Sequence, residues 1–88
     1  MQYTIVTGMS GSGKTKVIRY LEDMGYFCID NMPPMLIPKF SEMLTSVNGK
    51  FNNVAFVVDT RVGDMINELL AQIDDLKQKG YDCKLLYI

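Results

Sequence analysis

Gly8-Met9-Ser10-Gly11-Ser12-Gly13-Lys14-Thr15 satisfies every fixed position of the pattern G-x-x-x-x-G-K-[ST]. Its glycines let the backbone curl closely enough for successive N–H groups to point inward at phosphate oxygens. Lys14 supplies a point charge for the outer phosphates, and the Thr15 hydroxyl can join the shell of a Mg²⁺ ion. Ser12 can add one side-chain hydrogen bond to phosphate, whereas Met9 and Ser10 occupy freely varying positions. Such a loop should leave a strand and open a helix. Both flanks agree: Tyr3-Thr4-Ile5-Val6-Thr7 is β-branched and aromatic, and Val17, Ile18, Leu21 and Met24 recur at helical spacing before Gly25. The bland alternative, a flexible Gly/Ser linker, explains neither flank. The stretch predicts a nucleoside triphosphate as ligand.

Outward from this loop, strand and helix alternate. The spacing predicts strands over Tyr3–Thr7, Tyr26–Ile29, Asn53–Asp59 and Cys83–Ile88. It predicts helices over Lys14–Met24, Pro34–Ser46 and Gly63–Lys79. The unbroken apolar run Val54–Val58 suits a parallel strand covered on both faces. Met65, Ile66, Leu69, Leu70, Ile73 and Leu76 form the apolar stripe of the third helix. Asn48-Gly49 and Lys79-Gly80 read as helix exits or turns. This order predicts an α/β fold of the phosphate-loop NTPase type, three layers with a mostly parallel sheet and right-handed crossovers. The last segment reads as a buried strand in which the chain stops, so residues 1–88 are expected to be the N-terminal part of a nucleotide-binding domain.

Composition narrows the function class. The chain has 88 residues, a formal net charge of −1 and an apolar fraction of 48%, values of a modest globular unit without a broad basic face. No apolar run approaches a membrane span, and because Met1 leads directly into the expected first strand no leader is expected. Cys28 and Cys83 lie far apart and read as small buried hydrophobes in a reducing compartment. With no histidine, His-based triads and the H-E-x-x-H zinc motif are excluded. The cytoplasm is the expected location, and a homo-oligomer is left open.

Phosphate-loop chemistry needs a second metal-site group, usually an aspartate ending a hydrophobic strand. Asp59 after Val54–Val58 has that form; the alternative is a turn or helix cap. Arg61 could approach phosphate or pair with Asp59. Asp30 is the rival, since it ends Tyr26–Ile29, which is expected beside the first strand. It could order a metal-bound water, activate an attacking water or hold an acceptor hydroxyl. Capping of the helix announced by Pro33-Pro34 explains Asp30-Asn31 equally well. Met32, Met35 and Met43 read as adaptable core filler.

Gly8–Thr15 followed by Leu21-Glu22-Asp23-Met24-Gly25-Tyr26-Phe27-Cys28-Ile29-Asp30-Asn31-Met32-Pro33-Pro34 resembles the RapZ/YvcJ family of bacterial nucleotide-binding proteins. The second string carries the specificity, and the resemblance runs through the chain, more loosely after Pro38. It implies ATPase and GTPase activity, with ATP on Gly8–Thr15 and a GTP-associated motif on Asp59-Thr60-Arg61-Val62. Val62 departs from the polar residue often found there. The family includes an adapter that binds small regulatory RNAs and directs a ribonuclease to them. Its members are longer, and their RNA-associated half lies outside these residues. Three functions are therefore carried forward: a slow NTPase, a small-molecule or nucleoside kinase, and a switch that binds nucleotide without turnover.

Overall fold

The fold follows from one contrast among its apolar strands, that between inner and edge positions. In the computed structural model, which describes residues 2–8, 13–46, 52–59 and 64–88, four parallel strands lie in the order β2-β3-β1-β4. These are β1 (Gln2–Gly8), β2 (Phe27–Ile29), β3 (Asn53–Asp59) and β4 (Asp82–Tyr87). Between them run α1 (Lys14–Asp23), a 3₁₀ turn (Pro34–Leu36) continuing into α2 (Ile37–Ser46), and α3 (Asp64–Gln78). β1 and β3 are paired over their full lengths, from Gln2 opposite Asn53 to Gly8 opposite Asp59.

Alternation along the strands sorts the core into two layers. Tyr3, Ile5, Val54, Phe56 and Val58 pack beneath α2 and α3, against Ile37, Leu44, Leu69, Ile73 and Leu76. On the opposite face, Val6, Ala55 and Val57 pack beneath α1, against Leu21, Val17 and Ile18. All five residues of Val54–Val58 are buried, as expected of a strand covered on both faces. The Tyr3 ring stacks on Phe56 with centroids 5.5 Å apart and meets Tyr81 edge-on, also at 5.5 Å. Burial pushes the Tyr3 hydroxyl pKa up to about 12, with Tyr81 and then Cys83 adding to the shift.

The helix boundaries have local causes. Gly25, at φ 92°, takes the left-handed conformation that ends α1, while Tyr26 N–H donates to Leu21 O at 2.9 Å. α3 closes in the same way, with Tyr81 N–H on Leu76 O at 3.1 Å.

Four expectations need correction, the first being the methionines read as core filler: Met35 and Met43 are exposed, and of the three only Met32 is buried. β2 lies beside β3, not β1, because β3 inserts between them. Among the described residues β4, read as a buried strand, pairs with β1 alone: Cys83 is buried, but Leu85, Leu86 and Tyr87 are exposed. Leu70 leaves the α3 stripe for solvent at 46% exposure, so Leu69, Ile73 and Leu76 carry the packing. Asn48 and Gly49 lie outside the described residues.

Candidate phosphate-binding site

The site lies where two chain connections diverge. After β1 the chain runs through α1, on one face, toward β2; after β3 it runs through α3, on the other face, toward β4. The carboxyl ends of β1 and β3 are thus neighbours whose continuations leave in opposite directions. In open α/β sheets this arrangement opens the crevice in which ligands bind. Gly8 and Asp59 face each other across its floor in strand register.

Lys14, the first residue of α1, closes that floor. Its ammonium donates to Gly8 O at 2.9 Å and pairs with Asp59 Oδ1 at 2.6 Å. The two side chains are only 11% and 27% exposed, so solvent screens this pair far less than a surface ion pair. Alternation along β3 puts Asp59 on the α1 face with Ala55 and Val57, toward the lysine rather than toward α3. Gly13 makes the turn into α1 at φ 96°, ψ 11°, where a side chain would be strained, and its carbonyl accepts from Lys16 N–H at 3.1 Å.

The helix end itself favours an anion. Among the described residues no side chain caps the amino terminus of α1, and no acidic residue sits in its first turn. With Gly13 as its cap residue, the amino end of α1 carries the positive end of the helix dipole. Thr15 is exposed on that first turn. One hydroxyl and one carboxylate are hard oxygen donors of the kind Mg²⁺ takes, with phosphates and water completing its shell. The described residues contain no cluster of three His, Cys, Asp or Glu side chains. That donor set fits an ion carried in with phosphate rather than one held in a protein cage.

Asp30 is placed differently. β2 pairs with β3 as far as Ile29 opposite Phe56, and pairing resumes where Met32 N–H donates to Val57 O at 2.8 Å. Asp30 and Asn31 bulge out between these points, with Asn31 at φ 55°. Asp30 is exposed, and its Oδ1 accepts from the Asn31 amide at 2.7 Å. It does not cap the 3₁₀ turn, whose cap residue is Pro33 with no side-chain bond. Beside it, β2 and α2 enclose a cavity of about 550 Å³ lined by Phe27, Ile29, Asp30, Phe40, Met43 and Leu44. A cavity of about 610 Å³ at the amino ends of β1 and β4, lined by Gln2, Lys77, Tyr81 and Asp82, is at the far end of the sheet from Gly8.

Of the sequence-predicted site residues, Gly8, Lys14 and Asp59 meet at this crevice beside Gly13, Thr15 is exposed in the first turn of α1, and Asp30 stands two strands from β1. Met9, Ser10, Gly11, Ser12, Thr60, Arg61 and Val62 lie outside the described residues. Sequence reasoning missed the Gly8 carbonyl as a partner of Lys14, since nothing in a residue's type announces the direction of its backbone oxygen. The cysteines are free, and burial pushes both thiols up, with Glu22 adding to the effect at Cys28. Both are therefore poor nucleophiles. Among the described residues no helix is long and apolar enough to cross a membrane.

A parallel sheet of this order, a glycine-bearing turn from β1 into α1, and a lysine reaching the aspartate of the neighbouring strand define an α/β protein of the phosphate-loop class. The chain belongs to the RapZ-like N-terminal domain family, whose family model matches residues 1–88. It is 44% identical to a protein of Ruminiclostridium cellulolyticum, 46% to one of Acetivibrio thermocellus and 48% to one of Clostridium acetobutylicum, each named a nucleotide-binding protein. Each match covers 100% of this chain and 30% of the relative. The chain thus spans under a third of the length of these relatives.

Proposed function

We propose that this chain is the N-terminal part of a cytoplasmic nucleotide-binding protein that takes ATP and GTP with Mg²⁺ and hydrolyses them slowly, in a regulatory role. The observation that carries the reading is the juxtaposition of Lys14, Gly8 and Asp59 at the carboxyl ends of β1 and β3. The names of the relatives add support.

In this reading the α1 amino terminus and the loop amides bind the phosphate chain, and Lys14 turns its ammonium to the outer phosphates. Thr15 and Asp59 would hold Mg²⁺, which supplies charge neutralisation at the phosphates when bound. Asp59 or Asp30 orients the attacking water, whose oxygen bonds to the terminal phosphorus as the nucleoside diphosphate leaves. Fixed donors aimed at the charge that develops supply the acceleration. By the family resemblance, the Asp59–Val62 segment would serve GTP, and a small RNA or ribonuclease partner would bind the part of the full-length protein outside residues 1–88.

The cavity beside Asp30 favours one second reading, a small-molecule or nucleoside kinase in which Asp30 grips an acceptor hydroxyl. Both are tested by phosphate release from ATP and GTP by the full-length protein with Mg²⁺, beside Lys14→Ala and Asp59→Asn. Release abolished by both changes supports the hydrolase. Tight binding without release refutes it, and an acceptor screen then separates kinase from switch.

A further inference from the structure

The cavity between β2 and α2 is walled by hydrocarbon and carries a single kind of charge. Phe27, Ile29, Phe40, Met43 and Leu44 line it, and Asp30 is the charged residue among its described lining. We propose that this cavity binds a small organic amine, its ammonium held by Asp30 and its aromatic or branched aliphatic body filling the space between β2 and α2. The kinase reading gives Asp30 a hydroxyl to hold; the walls state what the rest of a ligand must be. Binding here depends neither on that reading nor on nucleotide at Gly8–Thr15.

Size, lining and charge each select the ligand. A volume of about 550 Å³ is that of a small-molecule site, in which apolar walls give affinity and a few polar groups fix orientation. Leu44 is buried and Ile29 and Phe40 are half-buried, whereas Phe27 and Met43 are exposed, so the lining runs from core to surface. Met43 is a side chain that adapts its shape to an apolar occupant. The bulge between Ile29 and Met32 carries Asp30, whose Oδ1 accepts from the Asn31 amide at 2.7 Å. Oδ2 has no partner among the described residues and is left for a donor. An anion would meet this carboxylate with no lysine or arginine among the described lining residues to offset it. A sugar would strand its hydroxyls against hydrocarbon. An ammonium answers Oδ2, and aromatic rings such as Phe27 and Phe40 attract cations by their faces.

A charge series on one ring tests this in the full-length protein, by saturation-transfer difference NMR without nucleotide or metal. The probes are phenethylamine, 2-phenylethanol and 3-phenylpropionate, which share a body and differ in their polar end. Phenethylamine should bind saturably with the millimolar affinity of so small a molecule. It should bind about 5-fold more tightly than the alcohol, the scale of one partly exposed ion pair, and the carboxylate should bind most weakly. In Asp30→Asn the advantage of the amine over the alcohol should vanish. In Met43→Lys, which sets an ammonium in the wall, the gap between amine and carboxylate should narrow. Both substitutions replace exposed side chains, and circular dichroism checks the fold of each. If one misfolds, the other decides together with the wild-type series. No saturable binding of phenethylamine in the millimolar range overturns the proposal. So does 3-phenylpropionate binding as well as the amine, or an amine preference unchanged in a folded Asp30→Asn. Each of these outcomes leaves the nucleotide reading standing, because phosphate release tests that separately.

Discussion

β3 and β4 are both apolar runs in the sequence, yet they live in different solvents. Val54–Val58 is buried throughout, because β3 lies between β2 and β1 and is roofed on both faces. Of Asp82–Tyr87 only Cys83 is buried, because among the described residues β4 pairs with β1 alone. The same lesson separates the two aspartates. Asp59 ends an inner strand beside Gly8 and meets Lys14, whereas Asp30 follows an edge strand and bonds its own neighbour's amide. Position in the sheet, not local sequence, decides which apolar run is core and which carboxylate meets Lys14.

The sharpest way to break that contrast is to empty the two strands. Phe56→Ala removes a fully buried ring that stacks on Tyr3 and should cost about 3–5 kcal/mol. Leu86→Ala, at 41% exposure, should cost less than about 1 kcal/mol. Urea denaturation of the two variants measures the difference, and equal losses would contradict the placement of β3 inside and β4 at the edge.

A second comparison tests the aspartates. Asp59→Asn should lower phosphate release by about 100-fold, the scale for removing one group that serves the developing charge, and Asp30→Asn by only a few-fold. Equal losses in steady-state turnover would promote Asp30 to a role its bulged position does not suggest.

The legible part of this molecule was local. The entry into α1, the Gly25 stop and the bounds of β3 could be read from residue type and spacing, because each depends on contacts only a few residues apart. The strand order could not. β2 inserts nothing into the sequence to say that β3 will separate it from β1, and the Leu85–Tyr87 run looks as apolar as Val54–Val58. The Lys14–Asp59 pair follows from that order, since only adjacency of β1 and β3 brings residues 45 positions apart within bonding distance. The Asp30 bulge was hidden for a different reason: it rests on one positive φ at Asn31 and one bond from Met32.

Two smaller effects sharpen the description of the inner strands. Burial raises the Tyr3 pKa from 10.0 to about 12, so the unfolded chain releases this proton first. Its contribution is intact below pH 10 and is lost as pH rises toward 12, by about 2 kcal/mol. Tyr3→Phe should flatten that alkaline fall in a series of denaturation curves. Thr7, one residue before Gly8, buries a hydroxyl with no hydrogen-bond partner among the described residues. Thr7→Val keeps the shape and removes the unpaired group, so the melting free energy should rise by about 1 kcal/mol while nucleotide affinity stays constant.

The most direct test of the central claim, that Lys14 and its neighbours form a nucleotide site, is calorimetric titration of the full-length protein with MgATP and MgGTP, beside Lys14→Ala. Saturable binding by the wild type, weakened about 100-fold or more in the variant, is the predicted result. Equal affinity in the two proteins would contradict it and move the site away from the β1–β3 crevice.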